Sequence, residues 1–328
     1  MRRIGAHVGA SCLIRSAAGG RIRPTKALAG MSRLPGRSLG RLWQVHAALA
    51  WGETVLRAPI RRAEALQGGL SSTMLALTDA SGEQTVLRLM THDPWRKHGA
   101  ELVRRERTAQ QELASTQVPA PTSIAVDPDG AAAGVAAHLM SRLPGAGTPQ
   151  MDDTMVTAMV EMLTTIHNVE PVEPFRTYQS WAWEAKRVVP PWTQHPGSWR
   201  RAFDVLAEAS PSYVPRFLHR DYSHRNLLWS EGRIAGVVDW VETSTGPVWL
   251  DAGHAATHLA LAFGPEPATA FLGRYAALRA ETPQRYWLVM DAVGLLPAPG
   301  MKPLFGSPGQ LQRLDRWLHD LLTRVAAF

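Results

Sequence analysis

Residues 219–226 read HRDYSHRN and lie between two short apolar runs, Arg216-Phe217-Leu218 and Leu227-Leu228-Trp229. A buried connection could not satisfy so many polar side chains, so the segment must line an open edge or a site. A further apolar run, residues 234–238, leads to Asp239-Trp240, and Ser230-Glu231-Gly232-Arg233 before it carries turn chemistry. A hairpin centred on Gly232 and Arg233 would set Asn226 opposite Asp239, with Cβ atoms about 5 Å apart. An amide oxygen and a carboxylate so placed, with positions left for water and a phosphate, form a donor set suited to Mg²⁺. Asp221, across the loop, can turn its carboxylate toward the same space. Each residue alone has a plainer reading: Asp221 and Asn226 satisfying loop backbone, Asp239 capping a turn. The three in this spacing favour a site.

His219-x-Asp221-x4-Asn226 followed by Val237-Val238-Asp239-Trp240 resembles the signature of the aminoglycoside phosphotransferase and choline kinase-like small-molecule kinases, relatives of the protein kinases. The resemblance runs from about residue 55 to the C-terminus. It implies an α+β, two-lobed protein-kinase-like fold, with a small antiparallel-sheet N-lobe and a larger, mainly helical C-lobe. By the same resemblance Asp221 would be the catalytic base, Asn226 and Asp239 would hold Mg²⁺ on the phosphates of ATP or GTP, and His219 would brace the loop. His224-Arg225 stands where relatives usually carry Pro-Gly. Arg225 is either a contact for the transferred phosphate or acceptor, or a solvated loop residue. Asp251, after Thr245-Gly246-Pro247, is expected to cap a helix beginning near Ala252 and tie it to the catalytic loop. Glu242 is a weaker candidate for a second metal contact.

The elements that must position these groups can be read in outline. Residues 73–78 and 84–90 alternate as strands around the turn Asp79-Ala80-Ser81-Gly82. A helix is expected over about 98–115, then strands over 122–126 and 134–140 around Asp127-Pro128-Asp129-Gly130. Leu143-Pro144-Gly145-Ala146-Gly147 reads as a connector between lobes, giving an N-lobe of 41–142 and a C-lobe of 143–328. Beyond it the periods are helical: Met155, Met159, Leu163 and Ile166 share a face, as do Trp199, Phe203 and Leu206, and Leu311, Leu314, Leu318 and Leu321.

In the first lobe, Gly68, Gly69, Ser71 and Ser72 lie between two strand-like segments, where the resemblance expects a loop over the phosphates; an ordinary hairpin turn would use the same residues. Glu106 falls on the apolar face of its helix with Leu102, Ala109 and Leu113 and wants a cation. Arg88 stands where the resemblance expects a strand lysine. Arginine supplies the charge, but as a longer, forked group it is not equivalent, and the plain alternative is a surface Arg88–Glu106 pair. The hinge, including Met140 and Arg142, is expected to offer backbone groups to the nucleotide base.

The formal charge of +7 is concentrated in residues 1–52, which hold nine Arg or Lys and no acid, so the rest of the chain stands at −2. Such a body makes no general electrostatic claim on nucleic acid. Residues 1–40 read as a disordered basic arm, either an export-like segment or a loose terminus with Met31 as a start. The one cysteine, Cys12, lies there and excludes an intrachain disulfide. No apolar run is long enough for a membrane helix, so a soluble, cytoplasmic protein is expected, with no nucleic-acid or membrane partner. His254 and His258 could share a zinc ion, but the sequence offers no third ligand. Trp181, Trp183, Trp192 and Trp199 are core residues or an aromatic wall for the acceptor. The expected activity is transfer of the γ-phosphate of ATP or GTP to a hydroxyl of a small molecule, with an aminoglycoside or related antibiotic as first choice. Choline, a sugar or another metabolite, or a non-catalytic nucleotide-binding protein on this scaffold, are the alternatives. Oligomeric state is not encoded in any recognisable pattern.

Overall fold

The computed structural model describes residues 39–67, 71–301 and 307–323, with side chains from residue 45 onward. The basic arm therefore lies outside the described residues except for its last two positions. Those two open a helix, α1 (Leu39–Leu56), for which the sequence carries no clear signal. Apolar residues are spread around α1 rather than along one stripe, so no helical period stands out. Val45, Ala48 and Leu49 bury it against the sheet, and Gly52 lets Ile60 approach closely.

Five antiparallel strands follow: β1 (Ile60–Leu66), β2 (Thr73–Asp79), β3 (Gln84–Leu89), β4 (Ser123–Asp127) and β5 (Ala137–Ser141), in the order β1-β2-β3-β5-β4. The β2–β3 turn is closed by Asp79, whose Oδ1 accepts from Ser81 N and Glu83 N. The β4–β5 turn is closed by Asp127, which accepts from the backbone of Ala131, Ala132 and Ala133. Gly130 there has φ +67°, and a Cβ would sit 2.7 Å from Val135 N, so glycine is required. Helix α2 (Gly99–Leu113) lies against the sheet, with Leu102 and Val103 meeting Met90 and Val241, while Ala109 and Leu113 join the core of the helical part.

The remainder is mostly helical: α3 (Asp153–His167), α4 (Pro196–Ala207), α5 (Val248–Phe263), α6 (Pro265–Arg279), α7 (Arg285–Gly294) and α8 (Pro308–Thr323). Asp152 caps α3 by accepting from Met155 N at 2.8 Å. The faces expected on α3, α4 and α8 are the buried ones, with Met159, Leu163, Trp199, Leu206, Leu318 and Leu321 in one core. Helix α5 is buried from Val248 to Leu261, because α6, α7 and α8 all pack on it. Each large apolar side chain it buries contributes about 1.5–3 kcal/mol. Two small sheets carry the polar loop: β6 (Arg216–Leu218) with β9 (Ser244–Gly246), and the hairpin β7 (Leu227–Ser230) with β8 (Arg233–Val237).

Two expectations need correction. The hairpin turn is the pair Glu231-Gly232, both at positive φ, and an irregularity follows between Leu228 and Trp229. Leu227 pairs Val237, and Val238 N donates to Asn226 O at 2.9 Å, so Asn226 stands opposite Val238 rather than Asp239. Asp251 lies inside the first turn of α5, which begins at Val248, and so does not cap it.

Candidate active site

The polar segment leaves β6, passes through a short 3₁₀ turn at His224–Asn226 and enters β7. Asp251 anchors its start: Oδ2 accepts from His219 N at 2.8 Å and Oδ1 from Arg220 N at 2.7 Å. His167 Nε2 holds the same carboxylate at 3.2 Å. Burial works against the Asp251 charge, yet His167, His219 and Arg220 keep its pKa below the ordinary value. The tie expected between this helix and the loop is thus present.

His219 is fully buried and braces the loop. Its Nε2 donates to Val238 O at 3.0 Å, Nδ1 accepts from Asp221 N at 3.2 Å, and its ring lies 4.3 Å from that of Trp240. Two non-glycine residues here hold left-handed backbone, Arg220 at φ 74° and Asp239 at φ 70°. Such conformations cost about 1–3 kcal/mol each and persist where the surroundings over-determine them.

Asn226 Nδ2 donates to Asp221 O at 2.8 Å and to Asp221 Oδ2 at 3.1 Å, leaving Asn226 Oδ1 as an oxygen donor. Asp221 Oδ1 receives a hydrogen bond from His254 Nε2 at 2.8 Å. Burial opposes ionisation of Asp221, but His254, with Arg225 and His219, holds its pKa at about 2. Arg225 is exposed beside it.

Asp239, past the end of β8, is joined to the first lobe. Arg88 Nη2 lies 3.0 Å from Asp239 Oδ1, and the same guanidinium pairs with Glu106 at 3.0 Å through Nε and Nη2. Arg88 Nη1 also donates to Ser72 Oγ at 3.2 Å. Arg88 is 3% exposed and Glu106 0%, so this is a buried network and not the surface pair of the plain alternative. Glu106 further accepts from His138 Nδ1 at 2.9 Å, and His138 Nε2 meets Ser123 Oγ at 2.9 Å. Burial raises the Glu106 pKa, but Arg88 and His138 outweigh it and hold the carboxylate below its usual range. Asp239 goes the other way: burial pushes it up, Asp221 and Glu106 add to this, and Arg88 offsets only part.

Three carboxylates, Asp221, Asp239 and Glu106, thus face each other's fields with one guanidinium among them. Asp239 Oδ1 is shielded from solvent and, although near Arg88, makes no aligned hydrogen bond. The Asp239 carboxylate and the Asn226 amide oxygen are ligands of the kind a hard divalent cation takes.

A family profile, the phosphotransferase enzyme family, matches residues 62–288, well over half of the sequence. The chain belongs to the phosphotransferase enzyme family. Among solved structures, a Ralstonia eutropha protein provisionally named an aminoglycoside phosphotransferase is 19% identical, with 84% of this chain and 95% of that one aligned and a TM-score of 0.58. The aminoglycoside phosphotransferase APH(4)-Ia, as a thermostable mutant in ternary complex with AMP-PNP and hygromycin B, is 17% identical over 81% and 93% of the two chains, TM-score 0.58. The amicoumacin kinase hAmiN, in complex with AMP-PNP, Ca²⁺ and Ami, is 16% identical over 81% and 90%, TM-score 0.54. At these identities the likeness is one of fold. Comparison with curated protein sequences gave no match. Family and fold make the chain a kinase-type phosphotransferase with the α+β two-lobed architecture.

Within this family frame the other expected residues fall as follows. Ser72 is buried on Arg88, and Ser71 lies next to it at the start of β2. Gly68 and Gly69 lie outside the described residues. Met140 is inside the sheet, between β3 and β4, with its sulfur accepting from Gln110 Nε2 at 3.4 Å. Arg142 reaches Gln84 Oε1 at 3.2 Å. Glu242, the weaker metal candidate, is paired with Arg176 at 2.7 Å. Trp199 is core, its indole donating to Asp315 at 2.8 Å, whereas the Trp181 ring stacks under Arg220 at 4.0 Å and Trp183 is half-exposed. Among the described residues no group of three His, Cys, Asp or Glu forms a metal cluster, and no helix is long and apolar enough to cross a membrane.

Proposed function

We propose that the chain transfers the γ-phosphate of ATP or GTP to a hydroxyl of a small molecule, with an aminoglycoside or related amino-sugar antibiotic as the acceptor class. The observation that carries this reading is the pair of linked networks converging on one place. Asp221 is kept ionised and oriented by Asn226 and His254, while Asp239 is tied through Arg88 to Glu106 and Ser72.

In this reading Asp221 orients the acceptor hydroxyl and takes its proton as the oxygen attacks the γ-phosphorus. The bond to the leaving nucleoside diphosphate then breaks in line. A loose transition state asks the protein mainly for placement and charge balance. Asn226 and Asp239 would hold Mg²⁺, which when bound supplies neutralisation of phosphate charge. Ser71, Ser72 and the neighbouring loop would cover the phosphates, and Arg88 would serve where a lysine is commoner. Backbone beyond Met140, at Arg142 and its neighbours, would meet the base. Arg225, exposed beside Asp221, would contact the transferred phosphate or the acceptor. The hygromycin B and amicoumacin complexes of its structural neighbours support an antibiotic-like acceptor. The C-terminal part carries eighteen acids against sixteen bases from residue 150 onward, too slight an excess to demand a polycation.

The test is Mg²⁺-dependent consumption of ATP and of GTP across aminoglycosides, other antibiotics, choline and sugars, with Asp221→Ala as control. Turnover with an amino-sugar acceptor, lost in the variant, is the expected result. Tight metal-dependent nucleotide binding with no turnover on any acceptor would move the chain to the class of nucleotide-binding proteins.

A further inference from the structure

His254, which in the sequence is half of a zinc pair without a third ligand, is the most heavily engaged titratable group next to the catalytic loop. It lies on α5 and is 2% exposed. Its Nε2 stands 2.8 Å from Asp221 Oδ1, and its Nδ1 stands 2.8 Å from Oδ1 of Asp291 on α7, itself 1% exposed. With a carboxylate oxygen at hydrogen-bond distance from each ring nitrogen, only the doubly protonated ring can donate in both directions; a neutral ring would turn a lone pair on one of the acids. Trp181 closes the cluster edge-on at 5.4 Å.

We propose that His254 is a positioning residue for phosphoryl transfer: as an imidazolium fixed between Asp291 and Asp221, it immobilises one oxygen of the base and leaves the other to the acceptor hydroxyl. The proposal rests on the phosphotransferase reading of the site. During transfer the acceptor proton passes to Asp221 Oδ2, and both ring protons of His254 stay in place. Asp291 acts one step further back, as the buried counter-charge that keeps the ring protonated.

Charged and titratable groups surround the ring. From the catalytic loop Asp221, His224 and Arg225 face it, from α7 Asp291, and from its own helix His258, whose ring is 4.3 Å away. Lys186 interacts with Asp291 from the segment before α4. Burial lowers the pKa of all three histidines. In His254 the two carboxylates override it and lift the value to about 9. His224 falls to about 4 and His258 well below the ordinary value, because both also sit in the field of His254 and Arg225. What holds the His254 protons is the carboxylate oxygen set at hydrogen-bond distance from each ring nitrogen.

Two measurements on the whole protein test this. Long-range ¹H–¹⁵N spectra of the histidine rings should show His254 as an imidazolium at pH 7, losing its proton near 9, and Asp291→Asn should bring that titration down toward 6.5. The kcat profile should carry an alkaline limb at the same pH that moves with it in Asp291→Asn. His254→Gln, which keeps a donor without the charge, should lose the limb and lower kcat about 10–100-fold with the nucleotide KM unchanged. A neutral His254 at pH 7, or a kcat limb that stays put while the ring titration moves, overturns the proposal. Absence of turnover with every acceptor would sink the phosphotransfer reading instead, and the ring spectrum still separates the two failures.

Discussion

Replacing Arg88 by alanine is the sharpest probe of the first-lobe network. Arg88 and Glu106 are 3% and 0% exposed, and Asp239 joins them at 3.0 Å. Removing one partner of a buried ion pair costs about 3–5 kcal/mol, because the remaining charge loses its compensation. Two features bring the figure to the lower end: His138 at 2.9 Å can share the Glu106 charge, and Asp239 is only half-buried and can gain water. We expect a loss of about 3 kcal/mol, which for a chain of this size lowers Tm by about 4–5 °C. Arg88→Lys keeps a charge but reaches one carboxylate, not two, and should lose about half as much. Urea unfolding followed by tryptophan fluorescence measures both. In the double variant with Glu106→Gln the losses should fail to add, with a coupling of about 1–3 kcal/mol. If Arg88→Ala lies within about 0.5 kcal/mol of the wild type, or the cycle is additive, the pair behaves as a solvated surface bridge and the network has no structural weight.

Asp221→Asn should lower turnover about 10²–10⁴-fold, the usual share of a general base, while calorimetric nucleotide affinity stays near that of the wild type. Asp239→Asn should remove the Mg²⁺ dependence of nucleotide binding; titrations with and without the metal that remain different would count against a metal-holding role. Stability should fall on the alkaline side of neutrality. The His254 pKa is raised to about 9, so its contribution is complete below the unfolded value near 6.5 and is lost as pH climbs through 9. Linkage gives about 3 kcal/mol in total, of which roughly half disappears between pH 6.5 and 8. His224, lowered to about 4, has the opposite sense: its contribution is present above 6.5 and is lost as pH falls toward 4. Denaturation curves from pH 5 to 9 for wild type and His254→Gln should differ in the alkaline half, and parallel curves would refute the assignment.

Asp221, Asn226 and Asp239 are legible in the sequence because their chemistry is local: polar residues crowded between apolar runs, at fixed spacing around a turn. Glu106 can be found by period, on the apolar face of a helix, whereas Arg88 is singled out by the resemblance, which expects a lysine on that strand. What the period cannot reveal is that both are buried and meet in one network, with Arg88 also reaching Asp239. The hairpin register is off by one because an irregularity at Leu228/Trp229 and a turn one residue earlier leave no mark in the hydrophobic pattern. Helix α1 hides because it is apolar all round, and β9 because three residues are too few to show alternation. His254 misleads for a different reason: its partners lie 33 and 37 residues away, and a histidine pair four apart on a helix suggests a metal before it suggests a carboxylate clamp.

The bond between α2 and the segment after Asp239 has a mechanical consequence. Arg105 Nη1 donates to Val241 O at 2.6 Å, and Arg88 grips Asp239 from the neighbouring strand. The sheet side is therefore tied to the helical part by side chains as well as by the covalent crossing near residues 142–147, and Val172 N to Glu112 and Val237 N to Pro119 O add to the two arginines. Ties of this kind make residues 239–241 a shared seam: any shift of α2 or β3 must be felt at Asp239. A substitution at Arg105, remote from the polar loop, should then disturb Asp239 through the backbone of Val241 even where both parts stay folded.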